Sequence, residues 1–353
     1  MIKSDFLSIL KSLIQSNIPF SYPEDKKSSI PDFKKGPMKV ETSTIKNILN
    51  YYKAKSLLQE LDLRGLEWTY NELCDEYSRE IMLKIVTFKL FENVKLRLPL
   101  YYDKTFNRLS MYEKQMLIDD EEINLWMDII KLKKYDLRTI GYDIKMWLNF
   151  EAIFLDFMNE QYAYSDKIKV EKGDYVIDGG ACYGDTALYF AAKSESKVFS
   201  FEFLGENIDI FNKNMDLNPK YKDNITLVKK PLSQKSGDKL FVVPNRPGTS
   251  VSEVKTDDSE EFETISIDDF VKQNNIEKID FIKLDVECSE VSVLKGAVNT
   301  IRKFKPKLAI CVYHKKDDLW TIPQLIKEIL PEYNLHLDHH TIMSNETVMY
   351  AKI

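Results

Sequence analysis

The chain has 353 residues, and at about 100–200 residues per domain this length indicates two domains. Hydrophobic residues make up 44% of the chain and charged residues 30%, which excludes a wholly disordered protein. The formal net charge of −6 disfavours a general nucleic-acid-binding surface, so we expect no nucleic-acid partner.

The cysteine pattern and the N-terminus indicate a reduced, cytoplasmic protein. The four cysteines, Cys74, Cys182, Cys288 and Cys311, form no CxxC pair, so neither a disulfide scaffold nor a zinc ribbon is indicated. Charged residues interrupt the apolar pattern near the N-terminus, where a signal peptide needs a continuous apolar stretch. No segment reaches the roughly 18 apolar residues of a membrane span. We therefore expect a cytoplasmic protein without a membrane span. Whether it is a monomer or a homo-oligomer stays open.

Residues 1–165 predict a mainly helical domain. Thr69 and Glu72 form a capping box, which predicts the start of a helix that carries Tyr77, Ile81 and Phe88 on one stripe. Further helices are predicted over residues 121–133 and 144–160. The many tyrosines and tryptophans of this half either pack in a core or interface or form a platform for a sugar ring. We expect this domain to select the substrate or to mediate oligomerisation.

Residues 166–353 have a different character, with short apolar runs separated by helix-length segments. The runs cover residues 175–178, 197–202, 225–229, 279–285 and 307–313. They are typical of the strands of a doubly wound parallel sheet, which is buried on both faces. Two last runs, 333–338 and 347–352, predict a hairpin-like end. Residues 230–263 predict an irregular segment, with the acidic run 257–261 in a solvated loop.

A glycine-rich loop follows the first of these runs and reads Asp-Gly-Gly-Ala-Cys-Tyr-Gly-Asp-Thr over residues 178–186. Its glycines allow a sharp turn and close approach to a ligand, and the N-terminus of the next helix offers free N–H groups. The second strand ends in Glu202, which is placed to accept hydrogen bonds from the two hydroxyls of a ribose. The pattern therefore predicts a cofactor that contains a nucleoside. The cofactor-binding candidates are Asp178, Gly179, Gly180, Ala181, Gly184, Asp185, Thr186, Glu202, Phe203 and Asp285.

Two cofactors use this geometry. Nicotinamide enzymes carry a G-x-G-x-x-G loop, whereas here three residues separate Gly180 from Gly184. The carboxylate of Asp178 beside the loop repels a pyrophosphate but suits the ammonium group of a methionine. S-adenosylmethionine therefore fits better than NAD, and an NAD-dependent oxidoreductase stays as the alternative.

Residues from about 165 to the end resemble the FkbM family of methyltransferases. The resemblance is carried by the loop 178–186, by Glu202 and by the later block Ile-Lys-Leu-Asp-Val-Glu-Cys-Ser-Glu over residues 282–290. The sequence departs from the family at Cys288, where the family has glycine. If this position has a positive φ angle, Cys288 is strained.

The resemblance implies a class I methyltransferase with a Rossmann-like doubly wound sheet in the strand order 3-2-1-4-5-7-6, with the seventh strand antiparallel. It also implies an S-adenosylmethionine-dependent O-methyltransferase that acts on a hydroxyl of a sugar, glycan precursor or related metabolite. A non-catalytic partner subunit with the same fold is a second alternative.

The catalytic candidates follow from the position of ligands at the carboxyl ends of parallel strands. His314 is the candidate general base because an ordinary histidine pKa near 6.5 suits work at neutral pH. Asp285 is the competing base, and Glu287 continues from it toward the substrate. The substrate-contact candidates are His314, His339 and Ser250. We expect no metal, because His336, Asp338 and His340 alternate on a strand at the sheet edge, where polar residues facing water are ordinary.

Overall fold

The computed structural model describes residues 61–91, 111–125, 129–242, 251–252, 256, 259–341 and 344–353. Its centre is a seven-stranded sheet in the order β12-β13-β11-β10-β4-β5-β6. The strands are β4 (Tyr175–Gly179), β5 (Lys197–Phe201), β6 (Ile225–Val228), β10 (Phe281–Leu284), β11 (Lys307–Cys311), β12 (Asn334–His339) and β13 (Thr347–Lys352). Only β13 runs antiparallel to its neighbours in this sheet. In the numbering of its own strands the order is 3-2-1-4-5-7-6, so the predicted topology is confirmed.

The central strands are buried on both faces. Every residue of β10 and of β11 is buried, as expected for the middle of a parallel sheet covered by two layers. One layer holds α6 (Ile267–Gln273), α7 (Glu290–Lys295), α8 (Val298–Phe304) and α9 (Asp318–Ile329). The other holds α4 (Asp185–Ser194) and α5 (Gly205–Leu217). The sheet therefore separates two hydrophobic cores.

Two helices of the N-terminal region join the first core. They are α1 (Leu63–Glu72) and α2 (Glu76–Phe91), and their buried residues Leu66, Ile81 and Ile85 lie in the same cluster as the apolar residues of α9 and β12. Asp62 caps α1, because its Oδ1 atom accepts hydrogen bonds from the amides of Arg64 and Gly65 at 3.0 Å. The prediction that a helix starts at Thr69 is thus wrong: Thr69 is buried inside α1, and the next helix starts at Glu76.

The second half of the N-terminal region forms strands where the pattern predicted helix. An antiparallel sheet consists of β1 (Leu117–Leu125), β2 (Ile130–Asp136) and β3 (Lys145–Leu148). The predicted helix over 121–133 is therefore wrong, and only Phe150–Ala152 and Ile153–Met158 are helical within 144–160. Tertiary contacts decide this: the side chain of Asn214 on α5 binds the amide and the carbonyl of Trp147 at 2.7 and 3.0 Å.

Part of the segment predicted to be irregular forms a third sheet, which has three strands. It contains β7 (Lys239–Val242), β8 (Val251–Ser252) and β9 (Glu260–Glu263). Two residues of the acidic run thus lie in a strand, and Glu261 pairs with Lys239 across the ladder at 2.6 Å. Residues 257–258 and Ser250 lie outside the described residues. Among the described helices, none combines the length and apolar character that crossing a membrane requires.

The predicted boundary near residue 165 stays a prediction. The core clusters include residues from both sides of that boundary.

Candidate active site

The glycine-rich loop connects β4 to α4 at the carboxyl end of the sheet. Gly180 has a φ of +76°, and a Cβ atom there would lie 1.8 Å from the carbonyl oxygen of Asp285. The amides of Gly180 and Ala181 both donate to the carbonyl of Phe201, at 3.1 and 3.0 Å. Only glycine fits this position, because a side chain would collide with the neighbouring strand end. The loop is thereby held against the ends of both β5 and β10.

Asp178 supports this loop from behind. Its side chain has no exposed surface, and its Oδ1 atom lies 3.2 Å from the Nζ atom of Lys283 on the neighbouring strand. Thr186 donates to both carboxylate oxygens at 3.0 Å, and Ser200 donates to one at 3.2 Å. Lys283 also donates to the carbonyls of Gly179 and Gly180. The buried cation next to Asp178 is thus a protein side chain.

A cavity of about 220 Å³ opens in front of the loop. It runs from the end of β5 to the end of β10. Its polar lining residues are Glu202, Asn207, Lys230, Asp285, Glu287 and Ser289, and its apolar ones include Phe201, Phe203, Leu204, Leu232 and Val286. Of the predicted cofactor-binding residues, Gly180, Glu202, Phe203 and Asp285 share this cavity. Asp178, Gly179, Ala181, Gly184, Asp185 and Thr186 are buried around the loop and do not line it.

Glu202 is fixed in position at one end of the cavity. Its Oε1 atom accepts hydrogen bonds from the amides of Phe203 and Leu204 at 2.6 and 2.9 Å. Its Oε2 atom accepts one from the side chain of Asn207 at 3.0 Å. Burial raises the pKa of this carboxyl, whereas those hydrogen bonds lower it. The result is an oriented acceptor with a lone pair of Oε2 left for a ligand hydroxyl.

Asp285 stands at the other end of the cavity and is held by two phenols. The hydroxyl of Tyr162 donates to Oδ2 at 3.0 Å, and that of Tyr313 donates to Oδ1 at 3.2 Å. Tyr313 lies two residues after the end of β11, but Tyr162 comes from the segment before the strand β4. No motif marks Tyr162 in the sequence, and only the fold brings it to Asp285.

Three carboxylates surround the imidazole of His314. Its Nδ1 atom is 2.9 Å from Oε1 of Glu290, and its Nε2 atom is 3.3 Å from Oδ1 of Asp285 and 3.5 Å from Oε2 of Glu287. Burial lowers the pKa of this imidazole, but the close contact with Glu290 and the negative charges of the three carboxylates raise it to about 9. The expectation of an ordinary pKa near 6.5 is therefore wrong, because it could not include neighbours that the fold brings together. At neutral pH the ring carries a proton.

The turn after β10 has a left-handed backbone. Glu287 has a φ of 46° and Cys288 a φ of 73°. Strain at Cys288 was expected if its φ is positive, and the structure confirms that condition; such strain costs of order 1–3 kcal/mol. The turn lets Glu287 and Glu290, on both sides of it, reach the same imidazole.

Three further acids, Asp156, Asp185 and Glu346, lie near the glycine-rich loop and Asp285. Asp156 and Asp185 neighbour each other, and burial raises the pKa of both. Burial and the charge of Asp285 raise the pKa of Glu346 to about 8, and Tyr313 also donates to Glu346 at 3.2 Å. Asp185, predicted to bind cofactor, therefore faces another carboxyl group behind the loop.

The remaining predicted residues lie away from the cavity. His339 is buried in the β12–β13 hairpin, where its Nδ1 atom is 2.8 Å from Oγ1 of Thr347. Of the alternating edge residues, His336 contacts Asp75 at 2.6 Å and Asp338 accepts from the hydroxyl of Tyr77 at 2.8 Å.

The Nδ1 atom of His340, the last of these alternating residues, is 2.9 Å from the side-chain Nδ2 atom of Asn159. Each of the three edge residues thus has a separate partner.

The fold and the site define a class of protein. A seven-stranded sheet with an antiparallel seventh strand, a glycine loop after its first strand and an acid after its second is the arrangement of class I methyltransferases. Comparison with known proteins shows what the C-terminal part of the chain resembles. Residues 178–344 match the family model described as the methyltransferase FkbM domain.

Two relatives agree with this match. Hexuronic acid methyltransferase AglP of Haloferax volcanii is 28% identical over 160 residues, which are 45% of this chain and 64% of that protein. The crystal structure of methyltransferase FkbM from Methylobacillus flagellatus aligns with a TM-score of 0.54 and 18% identity, over 84% of this chain and 60% of that one. The chain thus spans less than two thirds of either relative. Residues 178–344 are thus similar to the FkbM methyltransferase domain, and the seven-stranded sheet around them has the methyltransferase fold.

Proposed function

We propose that this protein is an S-adenosylmethionine-dependent O-methyltransferase that acts on a hydroxyl group of a sugar, glycan precursor or related metabolite. One observation carries the proposal: Glu202 and Asp285, each held by oriented donors, line opposite ends of one cavity in front of Gly180. Glu202 would accept hydrogen bonds from the ribose hydroxyls at one end of the cavity, and Asp285 would face the substrate that receives the methyl group at the other end.

The cavity residues fit S-adenosylmethionine. Glu202 would hold the ribose hydroxyls through Oε2, and the apolar side chains of Phe203 and Leu232 would cover the base. The close backbone at Gly180 leaves room for the chain between ribose and sulfur. The carboxylate of Asp285 would attract the cationic end of the cofactor. When bound, the cofactor supplies a methyl group on a positively charged sulfur.

The proposed acceptor is a sugar. The relative AglP is named as a hexuronic acid methyltransferase, and the cavity is lined by residues that lie within the range 178–344 matched by the family model. Tyr162 donates to Asp285 from the region before residue 166. This contact supports the proposal that residues 1–165 help to select the acceptor.

The transfer requires an in-line attack and a place for one proton. An acceptor hydroxyl beside Asp285 and Glu287 would receive the methyl group that the bound cofactor supplies, and sulfur would keep the electrons of the carbon–sulfur bond. We assign the hydroxyl proton to Glu287, which lines the cavity beside Asp285. Desolvation and the charges of Asp285 and Glu290 raise the pKa of Glu287, although the charge of His314 lowers it. His314 already carries a proton at neutral pH, so it positions Asp285 and Glu287.

Calorimetry with purified protein tests the cofactor. We expect S-adenosylhomocysteine to bind with one site per chain and NADH not to bind. Binding of NADH without binding of S-adenosylhomocysteine would overturn the proposal.

Mass spectrometry tests the acceptor. Glycans from cells that contain the protein should include a species heavier by one methylene than those from a strain without it. Incubation of the lighter glycan with the protein and S-adenosylmethionine should restore the heavier one, and identical glycan masses in both strains would contradict the sugar assignment.

A further inference from the structure

We propose that Asp285, Glu290 and His314 bind a divalent metal ion at the acceptor end of the cavity. The role of this ion in methyl transfer rests on the proposed function, whereas its binding does not.

The three residues come from different elements and converge on one place. Asp285 follows β10, Glu290 begins α7 and His314 lies beyond the end of β11. One ligand atom from each residue lies within 4.8 Å of the other two. Because bonds from a metal to oxygen or nitrogen are about 2.0–2.3 Å long, atoms at this separation can share one ion after small side-chain movements.

Glu290 provides a second, independent observation. Its residue surface is only 1% exposed. Oε1 accepts a hydrogen bond from the amide of Val286 at 2.9 Å, but Oε2 has no hydrogen-bond partner in the described part of the chain. A buried carboxylate oxygen without a donor is costly and therefore rare. A metal ion at this place would bind that oxygen.

The imidazole of His314 supports the same position. Its side chain is 6% exposed, and Oε1 of Glu290 lies 2.9 Å from Nδ1. Despite this short distance, neither ring nitrogen is aligned for a hydrogen bond with the described residues. A bound metal ion would take the place of the proton that the ring carries in the metal-free protein, so metal binding would release this proton and a nitrogen lone pair would face the ion.

The local charge also favours a cation. Asp285, Glu287 and Glu290 approach one imidazole within 3.5 Å. Lys283, whose charge acts on Asp285, is already paired with Asp178. Three carboxylates around one imidazole leave excess negative charge in a largely buried site, which a divalent ion would offset.

Three protein ligands leave coordination positions for a substrate oxygen, as in catalytic metal sites. One nitrogen and two carboxylates suit Mn²⁺ or Zn²⁺. An acceptor hydroxyl bound to the ion would lose its proton more easily. That proton passes to Glu287, the oxygen bonds to the methyl carbon, and the carbon–sulfur electrons remain on sulfur.

Direct binding of Mn²⁺ tests the site without any acceptor. Full-length protein is freed of metal by chelation and titrated with Mn²⁺, whose bound fraction is read by electron paramagnetic resonance. We expect one ion per chain, with affinity lowered roughly tenfold or more in Glu290→Gln and in His314→Gln. His336→Gln is the matched control, because His336 also pairs with a carboxylate, and it should bind Mn²⁺ like the unchanged protein.

Binding of S-adenosylhomocysteine to each variant shows whether it is folded, and His314→Gln serves if Glu290→Gln does not fold. The metal proposal is overturned if the unchanged protein binds S-adenosylhomocysteine but neither Mn²⁺ nor Zn²⁺ stoichiometrically. It is also overturned if only His336→Gln reduces Mn²⁺ binding. Failure to bind S-adenosylhomocysteine, with Mn²⁺ bound, would instead contradict the proposed function.

Discussion

Lys283 and Asp178 form an ion pair on neighbouring strands, with Nζ and Oδ1 3.2 Å apart and side chains that are 2% and 0% exposed. The charges of Asp178 and Asp285 raise the pKa of the lysine although burial lowers it. The same ammonium group donates to the carbonyls of Gly179 and Gly180. This pair therefore connects the two central strands to the loop in front of the cavity.

Lys283→Met is expected to lower the free energy of unfolding by about 3–5 kcal/mol, because it leaves Asp178 as an uncompensated buried charge. Urea denaturation followed by circular dichroism measures this loss. Lys278→Met is the control, since Lys278 pairs with Asp280 at the surface and should cost less than about 1 kcal/mol. Equal losses in both variants would contradict the structural role of the buried pair.

Glu202→Gln is expected to weaken binding of S-adenosylhomocysteine by about 1–3 kcal/mol, the range for hydrogen bonds to a charged group. The amide has only one oxygen to accept from both backbone amides and ribose. Titration calorimetry measures the change. Glu206→Gln is the matched control, because Glu206 lies in the first turn of α5 and is exposed, and the affinity of this variant should equal that of the unchanged protein. Unaltered affinity in Glu202→Gln would remove Glu202 from the ribose site.

Tyr162→Phe is expected to reduce kcat for methyl transfer roughly tenfold or more while binding of S-adenosylhomocysteine is retained. The reason is that Oδ2 of Asp285 loses its donor and the carboxylate is no longer held toward the acceptor. Steady-state kinetics with the identified acceptor give the measurement. Tyr175→Phe is the control. Tyr175 begins β4, at the end of the strand away from the glycine-rich loop, and its replacement should leave kcat unaltered. An unaltered kcat in Tyr162→Phe would show that the phenol only packs.

The burial of His340 is expected to make the protein less stable in acid. Burial lowers the pKa of its imidazole from 6.5 to about 3, while Nε2 lies 2.8 Å from the hydroxyl of Tyr350. Above about pH 6.5 the ring is neutral in both the folded and unfolded states. Below that pH the unfolded chain takes up a proton that the folded protein does not, so stability falls as pH decreases toward 3.

This contribution should reach about 2–3 kcal/mol near pH ~4.5. Urea midpoints at about pH 7 and pH 4.5 measure it. In His340→Gln the midpoint should depend less on pH than in the unchanged protein, whatever its stability at neutral pH. Parallel pH dependence in the two proteins would mean that the burial of His340 has no energetic consequence in acid.

The amino-acid sequence was sufficient for the parallel sheet and the glycine-rich loop. Strands such as β10 and β11 are continuous apolar runs because both of their faces are covered, and this pattern is local. The glycine run predicted a sharp turn at Gly180, but the close approach of the Asp285 carbonyl that excludes a side chain there arises only in the fold. Strain at Cys288 was expected on condition of a positive φ, because the resemblance has glycine at that position. The order of the strands came from the resemblance, whose motif residues occupy the strand ends.

Other features depended on residues that are distant in sequence. Residues 121–133 contain apolar residues at spacings compatible with either helix or strand, and the pairing of β1 with β2 and of β3 with Asn214 decided the outcome. In the sequence, Lys283 lies within an apolar run, and nothing near it indicates that Asp178 is its partner. Tyr162 carried no motif at all.

The sequence by itself thus determined which segments form the sheet, where the loop turns and which acids end the strands, because these depend on local geometry and on the period of apolar residues. The tertiary structure alone decided the chemistry of those acids. It placed Asp178 against Lys283 behind the loop, and it gathered Asp285, Glu287 and Glu290 around His314. Charge and pKa depend on distance through space, and distances across a fold arise only when strands and helices pack.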